Sequence, residues 1–176
     1  MTDNARLKFL YSVCDKLHMT KPDHFVYVSI EQQTLIFYQK SKQSLFFPIS
    51  TSSYGTGNKE GSNMTPPGLH RVEEKIGHNA QPWTIFRSRE NTGEIWRPGM
   101  DDENQILSRI LRLRGLEEGI NAGAGIDSYE RYIYIHGTNH EEKIGTPMSH
   151  GCVCMKNDDI IRMFDIIEEG TLVYIC

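Results

Sequence analysis

The stretch SHGCVCMKNDD, residues 149–159, combines the side chains of this chain that are best suited to nucleophilic chemistry. His150 precedes Cys152 by two residues and Cys154 by four. Only a thiolate attacks a carbonyl efficiently, and a free thiol with a pKa near ~8.5 is only about 3% ionised at pH 7. A nucleophilic cysteine in this stretch therefore needs a neighbouring base.

His136 is the candidate base, because it follows an apolar strand pattern and lies upstream of Cys152 in the sequence. Lowering the thiol pKa by roughly 2.5 units, or about 3.4 kcal/mol, would make the thiolate dominant at pH 7. An imidazolium partner and a nearby helix N-terminus can supply a stabilisation of that size. Since His136 should end a strand and Cys152 should precede a helix, the two side chains can meet across adjacent elements.

Two other interpretations of the same residues stay open. His136, His140, His150, Cys152 and Cys154 offer enough soft ligands for zinc, but C-x-C spacing differs from the C-x₂₋₄-C of structural zinc sites. Taken singly, cysteines are commonly small core residues and histidines commonly lie at the surface. Taken together, with glycines beside His136 and Cys152, the residues favour an active site that needs no metal and no cofactor.

The composition limits the partners and the compartment. The chain has 176 residues with 23 acidic and 19 basic side chains, a net charge of -4, so nucleic acid and membrane surfaces are not expected partners. Charged residues interrupt residues 1–20, and no apolar run approaches ~18 residues, so a secretory signal is not expected. We therefore expect a cytoplasmic protein whose four cysteines stay reduced, with the oligomeric state left open.

The elements that must position these residues belong to one predicted domain over residues 1–176, with an N-terminal helix in 1–22 and a core over 25–175. Helical spacing places Cys14 on the inner face of that first helix, and alternation between residues 24 and 50 predicts three strands. Glycine and proline crowd residues 52–68, which predicts a long loop of the kind that is often functional.

The second half of the chain should contain the elements that position His136 and the cysteine stretch. Strands are predicted at residues 69–72, 83–87, 131–135 and 171–175, the third of which ends at His136. The apolar spacing in residues 106–114 predicts a short helix that ends at Gly115. Asn157 is predicted to cap a further helix that directly follows the cysteine stretch.

Three motifs together resemble the L,D-transpeptidase catalytic domain, the YkuD-like family. They are IHGT at residues 135–138, SHGC at 149–152 and the upstream TPPGLHRV at 65–72. The resemblance covers most of the chain, roughly residues 25–175. It implies an α+β, predominantly β fold: a mixed two-sheet catalytic fold with a few flanking helices and the active site under a loop.

The resemblance also implies a role for each matched residue. The substrate would be a peptidoglycan stem peptide, a muropeptide, whose terminal D-alanine is released while the remaining peptide is held as a thioester. Cys152 matches the nucleophile, and His136 matches the base, oriented through its other ring nitrogen by a backbone carbonyl, that of Gly137. The backbone around Gly151 and Cys152 would form the oxyanion hole, and Ser149 and His150 would shape the pocket.

One position departs from the family pattern. Two residues after the nucleophile the family usually has Arg or Asn, whereas this chain has Cys154. Another cation could then hold the substrate carboxylate, and the candidates in or beside matched segments are Arg71, Arg87, Arg89 and Lys156. We accordingly expect Thr65, Arg71, Arg87 and Cys154 at the substrate-binding part of the site.

The acceptor of the acyl group separates the possible functions. Water as acceptor gives an L,D-carboxypeptidase that trims tetrapeptides during muropeptide recycling, whereas an amine gives an L,D-transpeptidase that cross-links peptidoglycan. We expect the carboxypeptidase, because no secretory signal is expected and small family members without one resemble that type. A muropeptide-binding module that has lost activity is the alternative from another class.

Overall fold

The computed structural model describes residues 2–40, 42–100 and 103–176. Those residues contain the helices α1 (Asp3–Lys16) and α2 (Asn157–Ile166) and a 3-10 turn at Glu141–Lys143. The described strands are β1 (His24–Ser29), β2 (Thr34–Gln39), β3 (Lys42–Pro48), β4 (Gly68–Ile76), β5 (Thr84–Arg87), β6 (Glu90–Ile95), β7 (Ile106–Gly115), β8 (Tyr134–Gly137), β9 (Val153–Met155) and β10 (Leu172–Ile175).

The strands form one continuous ladder in the order β3-β2-β1-β10-β4-β7-β5-β6, with β8 and β9 branching from β7. Strand β7 pairs with β4, β5 and β8, so the two predicted sheets are joined at this strand. The β1–β10 and β8–β9 pairs are parallel and the other pairs are antiparallel. The α+β, predominantly β fold with mixed pairing is therefore confirmed.

The core lies on both faces of the ladder. On one face α2 and the β8–β9 branch cover the meander β1–β3, and Val26, Ile135, Val153 and Phe164 belong to one buried cluster. On the other face α1 packs Leu10, Val13 and Cys14 against residues of β1, β2 and β10. Cys14 is completely buried, as the predicted inner face of the first helix requires.

Residues 106–115 form strand β7, and the predicted helix is wrong. The pairing register of β7 shifts between Leu107 and Ile110, where Ser108 adopts a left-handed φ of 65°. This bulge adds a residue, so apolar side chains recur at a spacing that resembles a helical turn although the chain is extended. Nearly every residue of β7 is buried, so polar side chains do not alternate with apolar ones as they would on a solvent-facing strand.

The structure differs from the sequence predictions at three further places. Strand β8 begins at Tyr134 and not at residue 131, because residues 127–132 turn and the N–H of Arg131 donates to the carbonyl of Asp127. The edge strand β6 was not predicted, since it is polar and mostly exposed. Lys156 occupies the N-cap position of α2, and Asn157 is instead a completely buried residue whose side chain points inward.

None of the described helices is long and apolar enough to cross a membrane.

Candidate active site

The imidazole of His136 has a defined tautomer. Its Nδ1 lies 2.8 Å from the carbonyl oxygen of Gly137, which can only accept, so Nδ1 carries the proton and Nε2 has the lone pair. The contact predicted from the sequence, between the Gly137 carbonyl and one ring nitrogen of His136, is therefore present. Gly137 is also required by packing, because a Cβ there would lie 2.5 Å from Asn157 Oδ1 and 2.7 Å from the Leu107 carbonyl.

Cys152 lies in the turn between the loop and β9, and its side chain is partly exposed. Its Sγ is 3.5 Å from the carbonyl oxygen of Tyr132, toward which the thiol donates. The guanidinium of Arg131 supplies the nearby positive charge and is itself held by the carbonyls of Gly57 (3.2 Å) and Met64 (2.7 Å). The thiol is thus directed at backbone in this resting arrangement.

The turn that carries Cys152 is fixed by hydroxyl groups. Ser149 Oγ donates to the Cys152 carbonyl at 2.6 Å and accepts the Gly151 N–H at 3.3 Å. Thr65 Oγ1 donates to the Gly151 carbonyl at 2.9 Å and accepts the N–H of Ser52 at 3.0 Å. Gly151 has a φ of 127°, a conformation that disfavours any side chain. Ser149 and Thr65 therefore shape the turn, and both are fully buried.

Burial keeps both partners neutral at pH 7. It lowers the pKa of His136 to about 4, against a smaller opposing effect of the Gly137 hydrogen bond. Burial also raises the pKa of the Cys152 thiol to about 11, while the Tyr134 N–H and Arg131 act in the opposite direction. The site therefore holds a neutral imidazole and a neutral thiol, and a thiolate forms only if the proton is transferred during the reaction.

A cavity of about 540 Å³ brings the predicted residues together. His136, Ser149, His150 and Cys152 line it, and His150 stacks on Tyr54 with ring centroids 5.6 Å apart. Apart from His140, which was a candidate zinc ligand, the rest of the lining was not predicted from the sequence, because nothing in the local patterns of these residues distinguishes them: Glu103, Asn104, Ile106, Lys143 and Met148.

The structure does not bring the predicted substrate-binding residues to this cavity. Arg71 is paired with Glu73 at 2.6 Å on β4, and Arg87 is paired with Glu94 at 3.7 Å on the β5–β6 hairpin. Arg89 donates to the hydroxyl of Tyr134 at 3.3 Å. Thr65 and Cys154 are completely buried behind the lining. The cation of the lining is Lys143, whose Nζ is 3.3 Å from His140 Nδ1.

The zinc interpretation receives no geometric support from the part of the chain that the structure describes. Within residues 2–40, 42–100 and 103–176, no three His, Cys, Asp or Glu side chains are grouped as a metal would require. The described cysteines are free thiols, with Cys14 and Cys154 buried and Cys176 exposed.

Comparison with known proteins agrees with this geometry. The profile of the YkuD family, the L,D-transpeptidase catalytic domain, matches residues 23–175. The protein named "Probable L,D-transpeptidase YcfS" from Escherichia coli is 27% identical over 161 residues, which are 88% of this chain and 44% of that protein. "Probable L,D-transpeptidase ErfK/SrfK" of the same species is 47% identical over 115 residues, 62% of this chain and 36% of that protein.

Solved structures share the fold. The L,D-transpeptidase from Xylanimonas cellulosilytica superposes with a TM-score of 0.58 at 16% identity, covering 89% of this chain and 62% of that chain. The chain spans less than half the length of the two curated relatives above. Because the family profile covers nearly all of its core, the chain belongs to the YkuD family of L,D-transpeptidase catalytic domains.

Proposed function

We propose that this protein is an L,D-carboxypeptidase that uses Cys152 to remove the terminal D-alanine from peptidoglycan tetrapeptides. The observation that carries the proposal is the cavity in which a neutral His136 and a partly exposed Cys152 face the same space. The family is one of cysteine-dependent acyltransferases that act on peptidoglycan peptides, which supports this substrate class. The inactive binding module is disfavoured, since both reacting groups are present.

The proposed reaction follows from the protonation states. As the Cys152 sulfur attacks the carbonyl before D-alanine, its proton moves to His136 Nε2, which is the bare nitrogen. The N–H of Cys152 stabilises the oxyanion, since the Gly151 N–H already donates to Ser149. His136 then protonates the leaving amine, D-alanine departs, and a thioester remains. Water, deprotonated by His136, attacks the thioester and returns the thiol.

The acceptor is assigned to water because the cavity is open and lined by charged and polar groups. Glu103, Lys143 and His150 have exposed side chains, so water can reach the thioester. We also propose a cytoplasmic location, since a partly exposed thiol persists there in the reduced form that the reaction needs. Cell fractionation with an antibody to the full chain tests that location.

The test uses a purified muropeptide tetrapeptide and mass spectrometry of the products. We expect free D-alanine and tripeptide from the wild-type chain and none from Cys152→Ala, whereas Cys154→Ser should retain most of the release. Loss of release in Cys154→Ser alone, with Cys152→Ala still active, would contradict the assignment of the nucleophile.

An L,D-transpeptidase is the second candidate, because the curated relatives are named for that activity. The same assay with an excess of an amine acceptor separates the two functions. Cross-linked dimer as the main product would favour the transferase, while tripeptide at an unchanged rate supports the carboxypeptidase. Stoichiometric binding of tetrapeptide without any turnover would identify a binding module.

A further inference from the structure

One thiol contacts the imidazole of His136, and a second thiol lines the same cavity as that imidazole. Strands β8 and β9 pair in parallel with His136 opposite Cys154, and Cys154 Sγ is 3.8 Å from His136 Nε2. Since Nδ1 carries the ring proton, the contact requires Cys154 to donate its S–H to the lone pair of Nε2. That lone pair is the one that Cys152 needs when it loses its proton.

Cys154 is held in this position from two sides. Its backbone N–H and carbonyl both bond to Ser50, at 2.7 and 2.9 Å. Its sulfur accepts the side-chain amide of Asn104 at 3.7 Å. The amide of Asn104 is itself oriented, because its oxygen accepts the hydroxyl of Thr138 at 2.8 Å and its nitrogen must then face the sulfur. Each side chain in this series therefore donates to the next one: Thr138 to Asn104, Asn104 to Cys154, and Cys154 to His136.

Cys154 is unsuited to attack a substrate itself. Its side chain has no exposed surface and does not line the cavity, whereas Cys152 is partly exposed and does. Meanwhile Cys152 directs its thiol at the Tyr132 carbonyl, 3.5 Å away. The base and the accessible thiol are therefore engaged with different partners.

We propose that Cys154 is a positioning residue that occupies the lone pair of His136 in the resting protein and thereby suppresses the reactivity of Cys152. Asn104, which lines the cavity, keeps the sulfur in place. The inference rests on the proposed roles of His136 and Cys152. It goes beyond them by giving a function to Cys154, the buried second cysteine of the SHGCVC stretch.

The test is the alkylation of Cys152 in the full chain by iodoacetamide at pH 7, followed by peptide mass mapping. In this step an S–C bond forms, the C–I bond breaks, iodide leaves, and the thiol proton passes to His136. We expect Cys154→Ala to speed alkylation about fivefold, the factor that corresponds to a hydrogen bond of about 1 kcal/mol. Cys154→Ser, whose hydroxyl can donate to Nε2, should stay within about twofold of the wild type.

Two further variants make the result specific. Cys14→Ser removes a buried thiol from α1, far from the base, and should leave the rate unchanged. Asn104→Ala removes the amide that donates to the Cys154 sulfur, so it should raise the alkylation rate of Cys152 by less than Cys154→Ala does. Asn104 is only partly buried, so this variant keeps the proposal testable if Cys154→Ala fails to fold.

A spectroscopic measurement completes the experiment. The ¹⁵N resonance of His136 Nε2 should lie upfield of an unbonded imine nitrogen in the wild type and in Cys154→Ser, and should move downfield in Cys154→Ala. Alkylation of Cys154→Ala at or below the wild-type rate, or an unchanged ¹⁵N shift, would overturn the proposal. The assay needs no substrate, so the expected pattern without any D-alanine release would reject only the carboxypeptidase.

Discussion

His136 combines two properties that are required of a general base at neutral pH. One ring nitrogen is fixed by the Gly137 carbonyl, and the other stays unprotonated because burial lowers the pKa to about 4. The resting pair is therefore neutral, unlike the ion pairs in which a cysteine is already a thiolate. In the proposed reaction, proton transfer then has to accompany attack, which makes the rate depend on His136.

Replacing His136 by Gln should lower kcat for D-alanine release by about 10² to 10⁴, the range for a positioned general base. Glutamine keeps most of the volume, so the loss should report chemistry more than packing. His18→Gln, on an exposed residue outside the site, is the matched control and should be fully active. Steady-state kinetics on tetrapeptide, with circular dichroism to verify folding, measures the effect. Retention of more than a tenth of the wild-type kcat would exclude His136 as the base.

Lys143→Ala should raise KM for tetrapeptide about five- to tenfold with little change in kcat. The ammonium lines the cavity, and its removal takes away the positive charge expected to face the carboxylate of the terminal D-alanine. Arg71→Ala is the control, since Arg71 is also cationic and partly exposed but is paired with Glu73 away from the cavity. Equal effects of the two variants would show that Lys143 acts only through the net charge.

At the scale of elements, β7 and the start of α2 hold β8, the strand that carries His136, in place. Asn157, the first residue of α2, accepts the hydroxyl of Ser108 at 2.6 Å and donates to the Thr138 carbonyl and to Glu141 Oε1, both at 2.8 Å. It therefore joins the bulge of β7, the end of β8 and the 3-10 turn. Its side chain is completely buried, and its bonds to Ser108 and Thr138 are shielded from water.

Asn157→Ala should lower the free energy of unfolding by about 2 to 4 kcal/mol, because it leaves buried polar partners unsatisfied. Urea unfolding followed by fluorescence measures this difference. Asp158→Ala, one residue further along α2 and exposed, serves as the control and should change stability by less than about 1 kcal/mol. A similar loss in both variants would mean that the helix start, and not the buried amide, accounts for the effect.

The elements also show where sequence patterns fail. The strand patterns between residues 24 and 50 predicted β1 to β3 correctly, since the β1–β2 pair keeps one antiparallel register and the β2–β3 pair shifts register between Phe37 and Tyr38. Strand β7 was mistaken for a helix because its bulge at Ser108 and its burial on both faces are set by tertiary pairing. Local spacing contains no information about either cause.

For the molecule as a whole, two buried histidines link stability to pH. His70 Nδ1 donates to the Gly68 carbonyl at 3.0 Å, Nε2 accepts the hydroxyl of Ser128 at 2.9 Å, and burial lowers the pKa of His70 to about 4. Burial likewise lowers the pKa of His136 to about 4. In the unfolded chain both return to about 6.5. Between these values the unfolded state binds more protons, so stability falls as pH falls.

Each of these histidines should cost about 2 kcal/mol of stability between pH 7.5 and pH 5, since 1.5 pKa units correspond to that energy. In His70→Gln, the part of the fall in unfolding free energy that comes from His70 and His136 should therefore be about half as large. This holds whatever the effect of the substitution on stability at pH 7.5. Urea unfolding of both proteins at the two pH values measures the difference. An equally steep decline in His70→Gln would contradict the assignment.

The motif residues of the site were predictable because their chemistry is concentrated in two short segments, IHGT and SHGC. The substrate-binding cations were not, because charge alone does not tell which arginines are already paired. Arg71 and Arg87 are paired with carboxylates, while Lys143 lines the cavity from a short 3-10 turn with no distinctive sequence pattern. Such residues are found only once the fold is known.

The branching of the ladder at β7 has a consequence for redesign. Strand β8, which carries His136, and the strands β4 and β5 all pair with β7, and β9, which follows the Cys152 turn, pairs with β8, so the geometry of β7 tolerates little change. The cavity walls at residues 103–105 and 140–148 lie between strands, in segments where the chain has more freedom to accept insertions. Altered substrate preference should therefore be sought by varying those walls, on a catalytic framework that is left untouched.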